Sequence, residues 1–247
     1  MMARNHAVSG AAAGVALFST LSVPLPDLTI AGYDLPDTLP LALGLGQMDG
    51  VYTALMCLTM AVAALLPDWD TPSSYVSTCL PPLTGVISRL LARPGHRTLT
   101  HSLAGILLAC VMSAAVSAPT VVLYGLPVRP GNGLLLALLA ALAARTLGAS
   151  SPRLLWGAGG IGLVWGATLP ATALWFMPAA VALGMWVHRA GDALTTRGVE
   201  HPLWPLVRRP RLRLPLLGDA GSRREDLLGA ALGLYTALGA AAVAVWG

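Results

Sequence analysis

A chain of 247 residues with 55% hydrophobic and 11% charged side chains, at a mean hydropathy of +0.70, falls well short of the about 25% charged residues of a soluble domain. A soluble fold is excluded, and the length is better divided into membrane spans of about 20 residues each. The net charge of +4 rests on arginine alone, with no lysine, and the three cysteines, Cys57, Cys79 and Cys110, form no CxxC pair, which excludes a disulfide framework and a thiolate zinc site.

No Asp, Glu or Arg interrupts Asn5 to Pro26, which predicts a first helix at about 7–23. Arg4 ahead of an apolar run also suits a secretory signal, but Val23-Pro24-Leu25-Pro26 offers no small-x-small cleavage site, so a retained helix is predicted. The uncharged stretches Gly50–Pro67, Thr98–Val128, Pro130–Ala144, Leu154–His188 and Leu227–Gly247 follow. Pro170 divides the long fourth of these into a helical hairpin. The predicted helices are then 7–23, 51–66, 101–124, 134–149, 154–169, 172–188 and 227–246; Arg145 and the Ser150-Ser151-Pro152-Arg153 break crowd the fourth and fifth. The expected fold class is all-α: one integral-membrane domain over 1–247, a polytopic transmembrane helical bundle of five to seven spans.

Arginine bias sets the expected orientation. Pro24–Gly50 contains Asp27, Asp34, Asp37 and Asp49 without arginine and should lie outside, whereas Pro67–Thr100, with Arg89, Arg93 and Arg97, and Arg189–Asp226, with eight arginines, should face the cytoplasm. With the amino terminus inside and seven spans, His6, Asp68, Asp70, His96, His101, His188, Asp192 and Glu225 all fall at the cytoplasmic face. The helix assignment used no ligand information, so this convergence is an independent test of it.

The convergent residues are metal-ligand types. His188 and Asp192, four apart on a helix end, project from one face. Asp68-Trp69-Asp70 is an extended or turning segment in which one Asp binds directly and the other orients an imidazole. His96 and His101, five apart, suit a loop histidine followed by one at a helix start, with Thr98 or Thr100 as the cap. His201, in Glu200-His201-Pro202, reads as a surface turn. Glu225 is a ligand, a general base or a helix-dipole partner.

Several of these segments resemble a family. His6, Leu65-Leu66-Pro67-Asp68-Trp69-Asp70, His96-Arg97-Thr98-Leu99-Thr100-His101-Ser102, His188 through Asp192 to Thr195 and Gly198, and Gly221-Ser222-Arg223-Arg224-Glu225 are similar to the YdjM-like bacterial inner-membrane proteins. Thr71-Pro72 stands where that family often has a further histidine. The order of ligands is also similar, more distantly, to that of the zinc-dependent phospholipase C and S1/P1 nuclease group. The resemblance implies a metal-dependent hydrolase of phosphoesters or phospholipid-like substrates, with water activated by zinc, or by manganese or iron, in a site of two or three ions. The expected ligands are His6, Asp68, Asp70, His96, His101, His188 and Asp192, and the expected catalytic residues Asp70, Glu225 and Arg97. Arg97 and Arg189 are candidates to grip phosphate. The alternative is a non-enzymatic metal-binding scaffold or a metal transporter. A transporter should carry ionisable groups at mid-membrane, and the predicted spans carry none there. The expected partners are the lipid bilayer and a phosphoester or lipid substrate. A nucleic acid is disfavoured, because the basic run Arg208, Arg209, Arg211 and Arg213 beside a membrane reads as a topology or lipid signal.

Overall fold

The computed structural model describes residues 1–26, 29–30, 33–34, 36–46, 50–170 and 176–246, and within them each long apolar run forms a helix. In chain order these are α1 (Ala3–Phe18), α2 (Gly50–Ala63), the short α3 (Leu83–Leu91), α4 (Leu103–Ser117), α5 (Pro130–Thr146), α6 (Pro152–Thr168), α7 (Phe176–Ala193) and α8 (Arg223–Trp246). The protein is mostly helical, with eight α-helices among the described residues. One continuous helical stretch, Gly50–Asp70, is long and apolar enough to cross a membrane, and α4 and α5 are shorter apolar helices. Leu107, Leu108, Val111 and Met112 on α4, Ile161 and Val164 on α6, and Leu234 and Leu238 on α8 are exposed, an outward-facing apolar surface.

Helix boundaries follow local chemistry. Prolines open α5 and α6, where a missing N–H leaves no bond unmade. Ser102 caps α4 by accepting from the Gly105 amide at 3.0 Å; this corrects the expected Thr98 or Thr100 cap, because both threonines lie in the turn before it. The predicted helix 101–124 stops at Ser117, ahead of Pro119, and its remainder forms a hairpin pairing Val121–Leu123 with Leu126–Val128, turned by Tyr124 and Gly125 at positive φ. Two further antiparallel pairs, Ser22–Pro24 with Thr38–Pro40 and Thr29–Ile30 with Tyr33–Asp34, occupy the loop between α1 and α2. Asp27 and Asp49 of the acidic loop, and the turn expected just after Pro170, lie at or beyond the edge of the described residues.

The core lies where α1, α2 and α7 pack together, with α5 against α2 and α4 and α6 paired with α5. Met56, Met60, Ala63, Leu142, Phe176, Met177 and Ala180 are fully buried there. Small residues let the backbones approach. A Cβ on Gly10 would meet the Met60 carbonyl oxygen at 2.5 Å, and one on Gly184 would meet the same oxygen at 2.7 Å and the Ala64 amide nitrogen at 2.9 Å. Backbone atoms at these distances cannot yield as a flexible side chain would, so Gly184→Ala must displace α7 from α2. A loss of about 1–3 kcal/mol in stability is expected from this overpacking, read as a lower melting temperature in detergent; an unchanged melting temperature would show that the helices separate freely here.

Candidate metal centre

Five segments deliver polar side chains to one end of the bundle: the start of α1, a 3-10 turn at Leu66–Asp70 after α2, a second at Leu99–His101 before α4, the end of α7 and the start of α8. Pro67 and the tight turn make Asp68 and Asp70 diverge. Asp68 is a quarter exposed and reaches toward the histidines, whereas Asp70 is buried. Trp69, between them, is pinned by its indole N–H to the Thr84 carbonyl at 2.9 Å.

The two central imidazoles are His101 and His188. His188 Nδ1 donates to the Ala64 carbonyl at 2.7 Å, which in the neutral ring leaves the Nε2 lone pair free. The Thr100 hydroxyl donates to Asp70 Oδ2 at 2.8 Å and so receives the His101 Nδ1 proton at 2.9 Å, which leaves His101 Nε2 bare as well. These two Nε2 atoms face each other at 3.0 Å. In the neutral rings two lone pairs at this distance repel, and a shared proton or a metal cation beside them relieves the repulsion. Two carboxylates stand by: Asp68 Oδ1 is 3.9 Å from His101 Nε2 and 3.7 Å from His188 Nε2, and Asp192 Oδ2 is 3.7 Å from each.

His6 stacks on His188 with ring centroids 3.6 Å apart and places Nε2 3.3 Å from Asp192 Oδ1; its buried Nδ1 has no partner. The i, i+4 spacing of His188 and Asp192 thus has the expected consequence. Asp192 also receives the Met1 amino group at 2.6 Å and Arg97 Nη2 at 2.9 Å. Asp70 Oδ1 accepts from His96 Nδ1 at 2.7 Å and from Thr71 Oγ1 at 3.3 Å, and its Oδ2 accepts from the Arg97 amide at 3.0 Å as well as from Thr100. Half-exposed His96 keeps Nε2 for another partner. Three overlapping groups could therefore hold a metal ion: His6, His188 and Asp192; Asp68, His101 and His188; Asp68, Asp70 and His96.

A family model described as YdjM inner membrane protein matches residues 1–246. The chain belongs to the YdjM inner membrane protein family. No curated protein and no solved structure matches it, and the similarity to the phospholipase C and S1/P1 nuclease group finds no support. The YdjM description, an inner membrane protein, agrees with the composition.

Other sequence candidates in this YdjM chain lie elsewhere. The Glu225 carboxylate accepts the Met2 amide and Asn5 Nδ2, each at 2.6 Å, on one oxygen, and the Gly221 amide at 2.9 Å on the other. It belongs to none of the three groups and ties the start of α1 to α8. Burial opposes its ionisation, but those three donors outweigh burial and hold its pKa below the usual 4.5. The folded value being depressed, its stabilisation is complete above about pH 4.5 and disappears as pH falls through the folded pKa. Glu225→Gln is expected to leave bound metal unchanged and to cost about 1–3 kcal/mol, a gap that closes in acid; loss of metal in this variant would place Glu225 in the centre after all.

Arg97 sits at φ 64°, a conformation few non-glycine residues adopt. The strain is held by its amide bond to Asp70, Nη2 on Asp192 and Nη1 on the Gly198 carbonyl at 2.8 Å. Arg189 is buried and donates to the Glu200 carbonyl at 2.8 Å. His201 accepts the Leu203 amide within a turn. Sequence reasoning reads Thr100 as a candidate helix cap and misses the Ala64 carbonyl; the two hold the Nδ1 protons of His101 and His188. Thr100, between His96 and His101, was legible as a hydroxyl beside an imidazole; a backbone carbonyl leaves no signal.

Proposed function

We propose that this protein is a membrane-embedded, divalent-metal-dependent hydrolase of phosphoesters, with its centre at the cytoplasmic ends of a multi-span bundle. The observation that carries the reading is the convergence of the His101 and His188 Nε2 atoms, facing at 3.0 Å, with Asp68 and Asp192 beside them. Their donor chemistry, imidazole and carboxylate without thiolate, suits zinc first and manganese or iron next. His188 has one nitrogen left for an ion, so the two groups that share it would form a single site, with Asp68 and His96 beside it as further donors.

In this reading His6, Asp68, His96, His101, His188 and Asp192 hold the metals. Asp70, whose oxygens already accept four donors, is a positioning residue that orients His96 directly and His101 through Thr100. Arg97 fixes Asp192, and Glu225 anchors the helix entry. When bound, divalent ions lower the pKa of water toward ~7 and polarise a phosphoryl oxygen. A cavity of about 470 Å³ has Asp68 and His96 in its wall, the open side that a catalytic centre needs and a closed structural site lacks. The cluster lies at one end of the helices, which favours an interfacial enzyme over a transporter with a midplane site.

Elemental analysis of the purified protein, followed by phosphoester hydrolysis with and without chelator, tests the reading. Hydrolysis that chelator abolishes and zinc or manganese restores is expected; bound metal with no hydrolysis of any phosphoester would leave a scaffold. Orientation is tested separately by thiol labelling at position 37 in a background lacking Cys57, Cys79 and Cys110, with labelling from outside expected.

A further inference from the structure

The two arginines that the sequence offers for phosphate do not face open space, since Arg97 is held by Asp192 and Gly198 and Arg189 is buried against Glu200. Arg145 differs. It is the penultimate residue of α5 and lines the same 470 Å³ cavity as Asp68 and His96, together with Thr71, Ser74 and Tyr75. Its Nε meets Thr78 Oγ1 at 3.3 Å, its Nη1 reaches the Ala149 carbonyl at 3.4 Å, and its guanidinium lies 5.4 Å from the centre of the Tyr75 ring. Among the described residues no carboxylate pairs with it, although one, Asp68, lies in the wall of the same cavity.

A half-buried guanidinium with only neutral neighbours retains its charge and most of its donor fork for an incoming oxyanion. The Tyr75 face and the Thr78 hydroxyl hold it in place without neutralising it. The cavity falls within the roughly 300–1,000 Å³ of small-molecule sites, with hydroxyls along its wall and the candidate metal ligands at one edge. We propose that this cavity is a binding subsite for a phosphate-class oxyanion and that Arg145 is its recognition residue. As the anchoring subsite of a substrate, it rests on the hydrolase reading above; as an anion site, it stands on Arg145 and the cavity alone.

Calorimetric titration of inorganic phosphate into the full-length protein in detergent, both chelator-treated and zinc-loaded, tests this. Phosphate should bind in both states, and Arg145→Ala should weaken it at least tenfold while metal content and melting temperature stay as in the wild type. Arg145→Lys, which keeps the charge and loses the fork, should weaken it several-fold, and it decides the matter if the alanine variant does not fold. Glycerol 3-phosphate and a short-chain phosphatidic acid separate the sources: equal, Arg145-dependent binding assigns a soluble phosphate ester, and a gain with the acyl chains assigns a lipid headgroup. Phosphate-class binding that neither Arg145 variant alters, or no binding of any of the three probes to the wild type, would overturn the proposal. Arg145-dependent binding in a protein that takes up no metal would keep the subsite and remove the hydrolase.

Discussion

His188→Ala is expected to lose tightly bound divalent ion and hydrolysis together. His188 Nε2 is common to two of the three candidate groups, and its Nδ1 bond to Ala64 holds that lone pair on the cluster. Removing an outer partner of a ligand typically weakens metal binding about 10–100-fold; removing the shared ligand itself should exceed that. The variant also leaves the Ala64 carbonyl without its donor, worth about 1–3 kcal/mol, so the comparison is made at a temperature where both proteins are folded. Full metal occupancy in folded His188→Ala would show that the imidazole is only a packing element between α2 and α7.

Asp70→Asn should behave differently. The substitution preserves size but replaces an acceptor of four donors with a group that has one acceptor oxygen, so the His96 Nδ1 bond or the Thr100 bond must fail. Failure of the second frees His101 to take the other tautomer. A 10–100-fold weakening of metal binding, measured by competition with a chromogenic chelator, is expected from this loss of orientation. Abolition of binding would mean that Asp70 contacts the ion directly, and an effect below about threefold would confine it to holding the turn.

Much of this arrangement was legible. Uncharged runs bounded by proline and arginine correspond to α1, α2 and α4–α8, because apolar length and helix-breaking residues act locally. The end of α4 was misread: the run Thr98–Val128 has no charge, and Pro119 alone separates the helix from a hairpin of equally apolar residues. His6, Asp68, His101, His188 and Asp192 stood out because few polar side chains border these helices, and the structure brings them together in groups that could hold a metal ion.

What escaped depends on tertiary placement. Glu225 lies at the same boundary as the candidate ligands, yet the backbone amides of Met2 and Gly221 donate to it. Arg97 carries a charge suited to phosphate, yet the left-handed backbone turns it onto Asp192. Arg145 looked like an obstacle to a span, because the cavity that it faces is built from residues some seventy positions earlier.

The most direct measurement is zinc K-edge X-ray absorption on the purified wild type beside His188→Ala. At least one equivalent of zinc, ligated by nitrogen and oxygen at about 2.0–2.1 Å with imidazole scattering that diminishes in the variant, is the expected result. A wild-type protein that retains no stoichiometric divalent ion, or one that binds it through sulfur, would contradict a metal centre built from these histidines and aspartates.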